Sequence, residues 1–274
     1  MSVKFNSKRY CSNNIKRIVL LILCLINHLG YSQSLDSSII VDSLLSDRLN
    51  EKKTFFIYLP KRFEPSKTYP VVYCTDGQSM VQEGYTNLLD SLIALQIIRP
   101  IVVVGAFANE EKVDGNISVR QIEYIKHFNK SKTDIARFQN HQYFFLNELP
   151  ELIIKRYQVK TDTNNLTFFG TSNGAGFGLT LFLENKTSFK HFICLSPLGN
   201  MPVKKIKHLH LPSLYVSYGI KEPTPLVAKY EKTVQALLKK DHTFSSNKFD
   251  GGHEHAFWKV EFTRTLSLLF GSLN

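Results

Sequence analysis

Cysteine, tryptophan and long hydrophobic runs are all scarce in this 274-residue chain, which holds four cysteines and one tryptophan. Its apolar run IVLLILCLI, Ile18 to Ile26, is nine residues long. A helix of that length covers about half of a ~30 Å hydrocarbon core, which disfavours an uncleaved membrane anchor. No low-complexity tract and no repeat of fixed period is present, so solenoid and propeller architectures are excluded. No Cys/His framework has the spacing of a zinc site, which takes three or four protein ligands. The two H-x-H pairs therefore leave His208, His210 and His255 as surface or packed side chains, and neither metal nor cofactor is implied. The densest basic run, VKKIKHLH (Val203 to His210), lacks the aromatic interleaving of a nucleic-acid platform and reads as a solvated loop.

What is present divides at about residue 32. Lys4, Lys8, Arg9, Lys16 and Arg17 precede the apolar run, and Gly30, Tyr31 and Ser32 close the segment with small residues around an aromatic. This is the order of a secretory signal peptide, expected over residues 1–32 with cleavage near Ser32. A lipoprotein signal is disfavoured because Leu23 precedes Cys24. Cleavage removes five basic and no acidic residues, leaving 29 Lys and Arg against 23 Asp and Glu, a net charge of +6. Cys11 and Cys24 leave too, so only Cys74 and Cys194 remain, each in an apolar strand-like run. An exported chain, periplasmic or secreted and without a stable membrane anchor, is the expectation.

Residues 33–274 read as one domain. TFFIYLP (Thr54 to Pro60), PVVYC (Pro70 to Cys74), IVVVGAF (Ile101 to Phe107), LTFF (Leu166 to Phe169), HFICLS (His191 to Ser196), SLYVSY (Ser213 to Tyr218) and Phe244 to Phe249 read as strands. Helical patterns lie between or after them at Thr86 to Ile98, Tyr143 to Tyr157, from Asn173, Leu226 to Lys239 and Phe257 to Phe270. Strands alternating with helices, several of them apolar on both faces, predict an α/β fold with a mostly parallel central sheet and helices on both faces. The stretch Ala108 to His141 is polar and weakly periodic, and is expected to be a lid-like insertion. The alternative is a disordered insertion, although RQIEY (Arg120 to Tyr124) favours order.

FGTSNGAGFG, Phe169 to Gly178, places Gly170, Ser172 and Gly174 as G-x-S-x-G between a strand and a helix. In that context the pattern describes a nucleophile elbow, whose glycines let neighbouring backbones approach while the serine projects from the turn. A serine hydroxyl is a weak nucleophile without a base and a carboxylate that orients the base. Glu222, at the end of SLYVSYGIKEP, and His253, in FDGGHEHAFW, supply both in the order Ser, acid, His. Asp250 and Glu254 adjoin His253 too closely in sequence to orient it. The backbone N–H of Asn173, next to the nucleophile, is a candidate oxyanion donor.

YPVVYCTDGQ, FGTSNGAGFG, SYGIKEP and GGHEHAFW together resemble the esterase family of α/β-hydrolases, which includes enterochelin esterases, feruloyl esterases, S-formylglutathione hydrolase and the mycolyltransferases. The likeness runs from about Lys53 to Gly271. It implies an α/β-hydrolase fold and a serine carboxylesterase with catalytic Ser172, His253 and Glu222, and it makes the Gln78 N–H the second oxyanion donor. Members often carry an aromatic where this chain has His255. An acyltransferase with the same triad and a non-catalytic binding protein on the same fold stay open. In the family's usual sheet order Cys74 and Cys194 lie on strands flanking the nucleophile strand, so no disulfide is expected. The expected substrate is a small-molecule or polysaccharide-linked ester, with short acyl esters of polar alcohols or catecholate-type esters favoured over long-chain lipids. Arg120 is a candidate substrate contact, or else a partner of Glu123 that holds its own segment; nothing bears on oligomeric state.

Overall fold

The computed structural model describes residues 37–126, 128, 131–184, 187–199, 211–238 and 244–272. The expected leader over 1–32 and the basic run at 203–210, with His208 and His210, lie outside the described residues. Eight strands form one sheet: β1 (Ser38–Ser46), β2 (Glu51–Leu59), β3 (Thr68–Cys74), β4 (Val102–Ala106), β7 (Lys160–Thr171), β8 (His191–Leu195), β9 (Ser213–Gly219) and β10 (Phe244–Phe249). Their order is β1-β2-β4-β3-β7-β8-β9-β10. β1 and β2 are antiparallel to their neighbours, and every pair from β4 to β10 is parallel.

Period-two alternation decides what each face buries. Phe55 and Ile57 join one core, and Phe56 and Tyr58 the other, all four fully buried. The first face packs against α4 (Lys132–Tyr143), α5 (Leu149–Tyr157) and α6 (Ser172–Glu184), through Phe138, Ile153 and Phe177 among others. The second packs against α2 (Tyr85–Ala94) and α8 (His255–Phe270), where the ring centroids of Phe169 and Phe262 lie 4.5 Å apart. Truncating such a buried ring to alanine costs about 3–5 kcal/mol. The predicted mostly parallel sheet covered on both faces is therefore present. Among the described residues no helix is long and apolar enough to cross a membrane.

Several elements escaped the sequence pattern. β1 was not foreseen, because SIIVDSLLS has apolar residues on both faces yet is mostly exposed at the sheet edge. The stretch 108–141 carries a hairpin, β5 (Lys112–Asp114) with β6 (Ile117–Ser118), then α3 (Val119–Tyr124) and most of α4. Ser118 and Gln121 form a capping box that starts α3 without apolar periodicity. A π-helical turn, Phe144–Glu148, joins α4 to α5.

The order of strands reverses direction at β3 and β7, which are hydrogen-bonded neighbours although crossovers leave them to opposite sides. A crevice forms at the carboxyl ends of strands at such a switch point. The Thr75 N–H bonds to the Phe169 carbonyl at 3.2 Å, so the turns that follow the two strands lie side by side.

Candidate active site

Three consecutive parallel strands end in a non-glycine residue with left-handed backbone: Asp76 (φ 56°) after β3, Ser172 (φ 55°) after β7 and Ser196 (φ 50°) after β8. Such a conformation costs on the order of 1–2 kcal/mol per residue and persists only where surrounding structure imposes it. At Ser172 the imposing contacts are the glycines of the motif. A Cβ on Gly170 would stand 2.7 Å from the Gly174 carbonyl, and one on Gly174 would collide with Thr75 Oγ1 and the Asp76 carboxylate. The glycines thus let β7 turn into α6 while the serine side chain is left projecting.

His253 is reached from the far end of the chain. β9 ends at Gly219 and β10 at Phe249, and the loops beyond them are zipped by Ile220 N–H to Phe249 O at 3.0 Å and Lys221 N–H to Gly251 O at 2.9 Å. Glu222 and His253 thereby meet, with Nδ1 2.8 Å from Glu222 Oε2. The other ring nitrogen, Nε2, is 3.0 Å from Ser172 Oγ. The structure brings Ser172, His253 and Glu222 into one hydrogen-bonded line.

Glu222 is buried but well supplied with donors. Ser196 Oγ donates to Oε1 at 2.6 Å, the Gly219 N–H donates to Oε1 at 2.9 Å, and the Tyr230 hydroxyl donates to Oε2 at 3.1 Å. Burial pushes the carboxyl upward, yet the bonds from His253, Ser196 and Gly219 outweigh it and hold the group below its ordinary value. The acid is therefore ionised and oriented, as a partner for an imidazolium must be. Trp258 Nε1 in turn donates to Ser196 Oγ at 2.9 Å, and its ring meets His253 edge-on at 4.8 Å. Ser196, Tyr230 and Trp258 were not found from sequence, since only strand order and helix packing bring them to the acid.

Gln78 and Asn173 occupy the first turns of α1 (Gly77–Gln82) and α6, where backbone N–H groups have no carbonyl within the helix to bind. The Gln78 side chain is engaged elsewhere, accepting the Ala108 N–H at 2.9 Å. Asp250 pairs with Lys221 at 2.8 Å on the surface, and Glu254 is the exposed residue preceding α8, so neither faces the histidine ring nitrogens. His255 is held apart from the line by Tyr85, whose hydroxyl is 3.2 Å from its Nδ1, and by Trp258, and burial lowers its basicity. The expected alternative for Arg120, a pair with Glu123, is corrected by the structure. Arg120 binds Asp76 through both Nε (2.5 Å) and Nη2 (2.9 Å), whereas Glu123 is taken by Lys53 and Arg137.

The model of the family described as "Putative esterase" matches residues 46–269. Among curated proteins none matches the chain by sequence. A solved ferulic acid esterase superposes with a TM-score of 0.70 at 18% identity, over 87% of this chain and 100% of its own. The ferulic acid esterase of the anaerobic fungus Anaeromyces mucronatus gives 0.67 at 15%, over 87% and 92%. The enterobactin esterase of Shigella flexneri, solved in the presence of enterobactin, gives 0.68 at 18%, over 85% of this chain and 58% of that one. At these identities the likeness to the solved structures is one of fold.

Proposed function

Because the chain belongs to the esterase family of α/β-hydrolases and is a carboxylic ester hydrolase, we propose that it cleaves esters through a Ser172–His253–Glu222 triad and an acyl-enzyme. The observation that supports this most is the unbroken chain of short contacts, Glu222 to His253 at 2.8 Å and His253 to Ser172 at 3.0 Å. Ser172 Oγ attacks the ester carbonyl carbon while His253 Nε2 takes its proton. The carbonyl oxygen becomes an oxyanion, received by the Gln78 and Asn173 N–H groups. Collapse re-forms the carbonyl and breaks the carbon–oxygen bond to the alcohol, which leaves with the proton from Nε2. Water then attacks the acyl-Ser172 with His253 as base, and the acid is released. Glu222 stays ionised throughout and steadies the imidazolium.

The positively charged and then apolar segment over 1–32 supports export, to the periplasm or outside the cell. Solved relatives of the same fold are a ferulic acid esterase and an enterobactin esterase, and together with export they favour polar aryl or catecholate-type esters as substrates. The ordered elements within 108–141 support a role for this insertion in bounding the substrate site. The deciding experiment treats residues 33–274 with a fluorophosphonate and maps the adduct. Labelling at Ser172, with hydrolysis of short nitrophenyl esters lost in Ser172→Ala, is expected. Wild-type turnover in that variant would overturn the assignment.

A further inference from the structure

Asp76 is the residue that sets the turn carrying Gln78, and its chemistry is awkward for that place. An aspartate readily accepts the backbone N–H two residues ahead of it, and here that N–H belongs to Gln78. Such a bond would consume the oxyanion donor and put a negative charge beside a developing one. The structure avoids it, for the Asp76 carboxylate accepts no hydrogen bond from its own turn. Both oxygens are instead turned to Arg120, Oδ1 to Nε at 2.5 Å and Oδ2 to Nη2 at 2.9 Å.

Arg120 is itself held. Its side chain is 17% exposed, lies over the Tyr124 ring at 5.2 Å and has Glu110 at 3.6 Å. Tyr124, one helical turn further along α3, accepts the Asp76 N–H at 3.3 Å with its hydroxyl, so α3 grips the turn at both backbone and side chain. The helix is fixed from behind by Glu123, which is fully buried and bound by Lys53 Nζ at 3.1 Å and Arg137 Nη2 at 2.7 Å. On the other flank the Asp76 carboxylate abuts Gly174, where a Cβ would stand 2.9 Å from Oδ2. The carboxylate thus sits between the elbow and the guanidinium, which compensates its charge in a bidentate pair.

We propose that Arg120 is a positioning residue of the oxyanion site: by claiming both oxygens of Asp76 it keeps that carboxylate off the Gln78 N–H and leaves the donor open for the transition state. The inference rests on reading Ser172 as the nucleophile and Gln78 N–H as an oxyanion donor. It differs from a substrate contact, which would act on ground-state binding as well as on turnover.

The test is a cycle between the two residues, read by steady-state kinetics on a short nitrophenyl ester. Arg120→Gln lowers kcat about tenfold to a hundredfold, the range just below loss of a whole oxyanion donor, with KM within about twofold. Adding Asp76→Gly removes the competing carboxylate, and glycine accepts φ 56° without strain, so the double variant recovers most of the lost kcat. A raised KM with kcat preserved, or a double variant as slow as Arg120→Gln, overturns the inference. Should circular dichroism show Arg120→Gln unfolded, Arg120→Lys carries the same cycle, since it keeps charge but not the bidentate grip. Kinetically silent Arg120 variants in a chain whose Ser172 takes the fluorophosphonate overturn this inference alone. Absence of Ser172-dependent turnover in the wild type overturns the triad reading with it.

Discussion

Ser196 Oγ lies 2.6 Å from Glu222 Oε1 while accepting the Trp258 indole N–H at 2.9 Å, so its hydroxyl hydrogen can point only toward the carboxylate. Two elements remote in sequence, the end of β8 and the first turns of α8, are thereby joined to the loop that holds the acid. The consequence is a carboxylate with donors on both oxygens, fixed in the plane that suits His253 Nδ1.

From this geometry, Glu222→Gln keeps the packing but replaces the carboxylate facing His253 Nδ1 by a neutral amide, which cannot steady the imidazolium. A fall in kcat of about a hundredfold to ten-thousandfold is expected, with circular dichroism unchanged. Ser196→Ala is milder, below about tenfold at neutral pH, and lets the Glu222 carboxyl rise toward its ordinary value. The sign follows because the Ser196 hydrogen bond favours the ionised carboxylate over the protonated acid, so its loss makes Glu222 harder to deprotonate. Unchanged kinetics in Glu222→Gln would leave a Ser–His pair or a different acid.

The two neighbouring histidines separate by what their rings reach. His253→Ala removes the only ring placed between Glu222 and Ser172 among the described residues, and kcat falls about a thousandfold or more. His255→Ala breaks a contact to Tyr85 and packing on Trp258, for which a loss within about fivefold is expected. Steady-state assays that reverse these magnitudes would move the base to His255.

The candidate triad residues were legible where a plain apolar strand precedes them, as LTFF does Ser172 and SLYVSY does Glu222, and a G-x-S-x-G between strand and helix carries its own geometry, whereas FSSNKF before His253 is apolar only at its ends. Ser196, Tyr230 and Trp258 were not, because nothing in HFICLS or in the pattern of α7 (Thr224–Leu238) says which loop its polar side chain will face. The same holds for Arg120. Its nearest acidic neighbour on the helix is Glu123, yet tertiary packing gives Glu123 to Lys53 and Arg137 and leaves Arg120 for Asp76, 44 residues away. Order in 108–141 was hidden for a related reason. Caps and buried ion pairs hold that segment as much as an apolar stripe does.

Cys74 and Cys194 are both buried and free, and they are expected to stay unpaired on oxidation. Cys74 is paired with Phe169 on one side of β7 and Cys194 with Gly170 on the other, so a whole strand intervenes. They also belong to the two different cores, on opposite faces of the sheet. Intact mass of residues 33–274 under denaturing conditions should match two thiols, and burial, which pushes both thiols up, should make them slow toward a thiol reagent until the fold is opened. A mass lower by two hydrogens would contradict the sheet order.

The acid stability of the fold should be set in part by His141. Its ring is fully buried among Tyr124, Phe144, Phe145 and Phe177, and faces Glu123 Oε2 at 3.3 Å with Lys53 and Arg137 on the same carboxylate. Burial drives its pKa from 6.5 down to about 4, with Glu123 pulling the other way and the two cations adding to the fall. The unfolded chain then binds a proton that the folded chain refuses between pH 6.5 and about 4. Stability is intact above this window and declines as pH falls through it, by an amount on the order of 3 kcal/mol. Burial pushes the Glu123 carboxyl up, but the charges of His141, Lys53 and Arg137 hold it below its ordinary value, so its own contribution is lost as pH falls below 4.5 toward that lowered value. His141→Phe fills the aromatic cage without a titrating group, although Glu123 loses a neighbour. Urea unfolding at a series of pH values should give a flatter profile for this variant between pH 6.5 and 4 than for the wild type, whatever its absolute stability. Equal slopes in that window would show that His141 is not the group the folded state keeps uncharged.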